Sequence, residues 1–127
     1  MLTKADFPDY ETVEYHLVYS ELIAAARQRG TVTYQELAHV VGLPLSGSHM
    51  GRRIGQLLGA VSWNEVQQGR PMLSAVAVNV RGGAGDGFFD LAQNYFNLMK
   101  AEEDKQAFWE SQRDKCYQMW KQQFPKK

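Results

Sequence analysis

The chain has 127 residues, 44% of them hydrophobic, with 14 Lys+Arg against 14 Asp+Glu and one cysteine. That length holds one ordinary core rather than two, and the balanced charge excludes a global field favouring nucleic acid, a membrane surface or an acidic partner. A lone thiol excludes an intramolecular disulfide and a zinc site built on thiolate pairs.

Net charge runs from −2 over residues 1–30 through 0 over 31–90 to +2 over 91–127, so any nucleic-acid contact has to come from a local cluster. No basic-then-apolar signal segment opens the chain, and no apolar run approaches the ~20 residues of a membrane span. A soluble, cytoplasmic protein with no membrane partner is expected. With no repeat and no low-complexity linker, residues 1–127 are expected to form a single domain, with 10–90 as its core and 91–127 as a helical extension.

In chain order, residues 10–29 carry Val13, Leu17, Ile23 and Ala26 among polar residues and stop at Gly30, which predicts an amphipathic helix. In "TVTYQELAHVVG" the Thr33 to Glu36 spacing makes a capping box ahead of a short helix from Tyr34 to about Val41, ended by Gly42. After Pro44 and "LSGS", residues 49–59 place Met50, Ile54, Leu57 and Leu58 on one stripe. Two short helices joined by a Gly/Pro turn suggest a helix-turn-helix.

"LSAVAVNV" (73–80) predicts a strand covered on both faces, and "RGGAGDG" a turn or wing. "FFDLAQNYFNLM" restarts a helical pattern. From about Asp104 a long helix puts Phe108, Trp109, Cys116, Trp120 and Phe124 near one side. The order is that of an α+β fold of winged helix-turn-helix character with a C-terminal helical extension.

Three pieces carry a family likeness in order: "TVTYQELAHVVG", "RRIG" and "PMLSAVAV". From Val32 to about Phe88, roughly half the chain, they resemble the C-terminal DNA-binding domain of the O6-alkylguanine-DNA alkyltransferases and their non-catalytic alkyltransferase-like relatives. Asn64 lies eight residues before Met72, the separation of hinge asparagine and reactive cysteine in that family. The resemblance implies that Tyr34 presses on the target phosphate, that Arg52 inserts in place of an extruded base, and that Met72 stands where the methyl-accepting cysteine would be. The family's Pro-Cys-His-Arg reads here Pro71-Met72-Leu73-Ser74. A thioether cannot become the thiolate that attacks an alkyl carbon, so direct alkyl transfer is excluded at that position. The whole phrase, with "GDGFF" and the tryptophan-rich last helix, is also similar to a group of uncharacterised small bacterial proteins.

Each candidate residue has a plainer reading beside the functional one. Met72 lines an alkyl-base pocket or fills the core at a strand start. Arg52 and Arg53, with Ser48 and His49 just upstream, contact DNA or form a solvated helix flank, and the inserted arginine is either of the two. Tyr34 is a phosphate contact or a packed residue at a helix start. Asn64, Pro71, Ser74, Gly83, Asp86 and Gly87 line a pocket around Met72, or Asp86 and its glycines are turn chemistry alone.

His39 and His49 miss the i, i+4 spacing of a helical metal site, so no metal and no cofactor is expected. Ser74 lacks a nucleophile elbow, and "GGAGDG" lacks the Lys-Ser/Thr ending of a P-loop. The leading expectation is a non-enzymatic DNA-binding protein that reads a modified or flipped base. The alternatives are a protein-interaction or homodimer module using the C-terminal helix, and an enzyme acting on a nucleobase or nucleotide through Ser74, Asp86 or His49.

Overall fold

The computed structural model describes residues 1–44 and 47–121, so Phe124, assigned to the last helix's stripe, lies outside the described residues. The first helix, α1 (Val13–Arg27), starts where the Thr12 hydroxyl accepts the Tyr15 amide. Its buried stripe is Tyr15, Val18, Leu22 and Ala26, while Val13 and Leu17 face solvent. The aromatic ring of Tyr15 thus displaces the aliphatic register expected from sequence. α1 ends before the glycine. Arg29 takes the left-handed conformation (φ 56°) and the Gly30 amide closes back on the Ala25 carbonyl at 2.8 Å.

Strand β1 (Val32–Thr33) leads directly into α2 (Tyr34–Val41). The capping box forms in both directions. The Thr33 amide donates to Glu36 Oε1 at 2.8 Å, the Glu36 amide donates to Thr33 Oγ1 at 3.1 Å, and Gly42 (φ 79°) caps the far end.

α3 runs Ser48–Gln67, well past the expected stop at Gly59. Its second half is buried on several sides, with Leu57, Leu58, Ala60, Val61 and Trp63 all inside. Tertiary packing there outweighs the ~1 kcal/mol that an internal glycine costs a helix. The actual end has the glycine signature further on. Gly69 takes φ 75° and the Arg70 amide reaches the Glu65 carbonyl at 2.8 Å.

Residues 73–80 depart most from expectation. Leu73–Val76 form a 3-10 turn, and only β2 (Ala77–Val78) is extended, pairing parallel with β1 in the register Val32↔Ala77 and Thr33↔Val78. Side chains satisfy the backbone that a longer strand would have paired. The Met72 amide donates to Gln112 Oε1 (3.0 Å), the Ser74 amide donates to Ser62 Oγ (3.2 Å), and Trp109 Nε1 donates to the Ala75 carbonyl (2.8 Å).

Beyond β2, Asn79 Oδ1 gathers the amides of Arg81 and Gly83 in a turn. α4 (Asp86–Asp90) then passes into a π-helical turn, Leu91–Tyr95, where the Phe96 amide bonds the Leu91 carbonyl at 2.9 Å. The continuous helix expected from Phe88 onward is therefore short and wide-turned, and Asn97 (φ 53°) ends it. α5 (Lys105–Trp120) is capped by Asp104 and buries Phe108, Trp109, Gln112 and Cys116 against the 71–76 segment and α1. The architecture is α+β: helices gathered round one short parallel strand pair. Among the described residues no helix is long and apolar enough to cross a membrane.

Candidate functional site

A cavity of about 550 Å³ opens where five segments meet: the Asp6–Asp9 stretch, the start of α2, the exposed face of α3, the 3-10 turn at Ser74 and the Gly85–Leu91 stretch. Local chemistry fixes each wall. The Thr3–Asp6 capping box turns the N-terminal segment, and Phe7 stacks on Trp63 (5.4 Å between centroids, 22° between planes).

Tyr34, the first residue of α2, accepts the Gly85 amide at 2.8 Å. Gly85 is the one position here where a side chain has no room, because a Cβ would lie 2.8 Å from the Tyr34 hydroxyl. Burial pushes the Tyr34 phenol above its ordinary pKa; the Gly85 amide opposes this and the nearby Asp86 carboxylate reinforces it. The phenol therefore stays neutral, and it donates to no group among the described residues.

At the floor, Ser62 Oγ donates to Ser74 Oγ at 2.6 Å and accepts the Ser74 amide. That leaves the Ser74 hydroxyl proton without an acceptor among the described residues, on a residue only 3% exposed.

Of the twelve residues singled out from sequence, five line this cavity: Tyr34, Arg52, Ser74, Asp86 and Gly87. Ser48 and His49 sit on the exposed first turn of α3, where the His49 ring lies 3.4 Å from the Arg52 guanidinium. Arg53 does not face the cavity as Arg52 does. It forks onto Asp9 through two 3.0 Å bonds and also holds Gln56, so the geometry separates two arginines that sequence left equivalent.

Asn64 faces α1, accepting from Tyr10 and donating to Tyr19. Pro71 borders a shallow cleft against α5, and Gly83 lies in the turn held by Asn79. Met72 is fully buried and does not line the cavity. Its carbonyl accepts from Cys116 Sγ at 3.2 Å. Burial pushes that thiol up to about 12, with the Glu65 carboxylate adding to the shift, so the chain's one cysteine is a protonated, sealed group at neutral pH.

No family model, curated protein or solved structure matches the chain. The site therefore has to be read from its own groups.

Sequence reasoning missed Phe7, Asp9, Asp90 and Tyr95 as part of the site. A signal was available for the first two: Thr3-Lys-Ala-Asp6 repeats the threonine-to-acid spacing that marks the start of α2, and so announces an ordered lead-in. For Ser74 the catalytic geometry is incomplete. Its hydroxyl partner is another serine, and no histidine lines the cavity. Among the described residues no group of three His, Cys, Asp or Glu side chains could hold a metal.

Proposed function

We propose that this protein is a non-enzymatic DNA-binding module of winged-helix, alkyltransferase-like type, which docks α3 on the duplex and receives an extruded, modified base in the Tyr34–Arg52–Ser74–Asp86 cavity. The supporting observation is convergence: residues from four separate stretches, picked out by motif order alone, line one cavity beside the exposed half of α3. Its volume suits a small organic group. The first turn of α3 carries no acidic residue and no side-chain cap on its amides, which favours an approaching phosphate. Extrusion costs a few kcal/mol and least for a damaged base, so a cavity without a nucleophile still discriminates.

The alternative of a partner docking on α5 has less in its favour, because Phe108, Trp109 and Cys116 are spent on the chain's own core. The enzymatic alternative lacks a base beside Ser74.

The test is a fluorescence-anisotropy titration of a labelled duplex, plain or carrying one alkylated guanine, at two salt concentrations. The modified duplex is expected to bind more tightly. With Arg53 held by Asp9, the dependence of log K on log salt is expected to be shallow, about −1 to −2 for one or two neutralised phosphates. No binding to either duplex at low salt overturns the DNA reading.

A further inference from the structure

The charge of the cavity runs against a neutral guest. Asp6, Asp9, Asp86 and Asp90 line it, with Arg52 as the one cation among the lining residues. Three of these carboxylates have partners: Asp6 accepts the Thr3 amide, Asp9 holds Arg53, and Asp90 accepts from Asn94. Asp86 accepts no hydrogen bond from the described side chains. The walls add rings whose faces are electron-rich, from Phe7, Tyr34, Phe88 and Tyr95. A second observation is independent of the acids. The Ser74 hydroxyl, almost wholly buried at the floor, has its oxygen occupied by Ser62 and its proton unclaimed among the described residues. A guest that satisfies all of these is flat, positively charged, carries N–H donors on one edge and places a carbonyl oxygen at the Ser74 hydroxyl.

We propose that the cavity takes a cationic N-alkylated purine of the 7-alkylguanine class, its keto oxygen on Ser74 and its N–H edge on Asp86, rather than a neutral O6-alkylated base. The chemistry separates the two guests. O6-alkylation converts the keto oxygen to an ether and removes the ring N–H, so both polar contacts lose their match. N7-alkylation keeps both and places a positive charge between aromatic faces and carboxylates. This assignment rests on the proposed base-binding cavity, but it concerns the bound base and not the duplex.

The experiment titrates the full chain with 7-methylguanosine, guanosine and O6-methylguanosine in mildly acidic buffer, where the first stays a cation, by calorimetry and tryptophan fluorescence, alongside the duplex titration. 7-Methylguanosine is expected to bind about tenfold or more tighter than either neutral nucleoside. Asp86→Asn should abolish that preference, and Ser74→Ala should weaken both guanosine forms that keep the keto oxygen. Equal affinity for the three, preference for O6-methylguanosine, or no nucleoside bound by a protein that binds duplex would each overturn the assignment while leaving DNA binding intact. Preference for 7-methylguanosine with no duplex affinity would support the assignment and overturn only the DNA reading.

Discussion

The two sides of the 71–78 segment differ in how completely their polar groups are used. Toward α5, the amide of Met72 and the carbonyls of Met72 and Ala75 are each met by a side chain, from Gln112, Cys116 and Trp109 in turn. Toward the cavity, two residues further along, Ser74 keeps a hydroxyl proton and faces Tyr34, Arg52 and Asp86. The difference teaches that a motif position and a site need not coincide. Met72, where the family likeness points, is sealed, and the open chemistry has moved to its second neighbour.

The comparison can be broken most forcefully from the closed side. Trp109→Ala removes a buried indole together with its hydrogen bond to Ala75 and is expected to cost ~4 kcal/mol, read from urea unfolding. Met72→Leu keeps the volume and is expected to cost under ~1.5 kcal/mol while leaving base affinity as it was. A change in affinity without a change in stability would show that Met72 reaches the guest after all.

On the open side, Gly85→Ala drives a Cβ toward the Tyr34 hydroxyl and is expected to lower base affinity about tenfold, the equivalent of one hydrogen bond, measured by calorimetry. Arg52→Ala is expected to leave stability within ~0.5 kcal/mol and to flatten the salt dependence of DNA binding by about one unit, as anisotropy at several salt concentrations would report.

The smallest effect at neutral pH concerns Cys116. Its thiol is raised to about 12 in the folded chain, by burial first and by Glu65 second, so the folded state resists its ionisation. The associated stability is complete below the unfolded thiol's pKa of ~8.5 and is lost as pH climbs toward about 12. Urea midpoints should hold steady up to that range and then fall. In Cys116→Ala the part of the fall that precedes tyrosine ionisation should be missing.

What was legible in the sequence was local. The capping box at Thr33 and Glu36, the glycine at the end of α2 and the start of α5 all rest on contacts within a few residues, and each appears as read. The strand expected over 73–80 was not legible as a turn, because the groups that satisfy its backbone come from residues 34 to 44 positions further along. The choice between Arg52 and Arg53 depended on Asp9, 44 residues upstream. Five site residues were recoverable because motif order carries topology. The N-terminal wall was not, since nothing near Phe7 says that Trp63 will be its partner.

The π-helical turn at Leu91–Tyr95 holds one residue more per turn than an ordinary helix would. Deleting a single residue there would let the segment relax to α-helical pitch and rotate everything after it by ~100° about the helix axis. Tyr95 would swing off the cavity wall, and the path to Asp104 would start from a different face. Relatives that differ by one residue within 91–95 should therefore have a cavity of different breadth even where every other lining side chain is identical, so the length of this short stretch, as much as its composition, sets which guests fit.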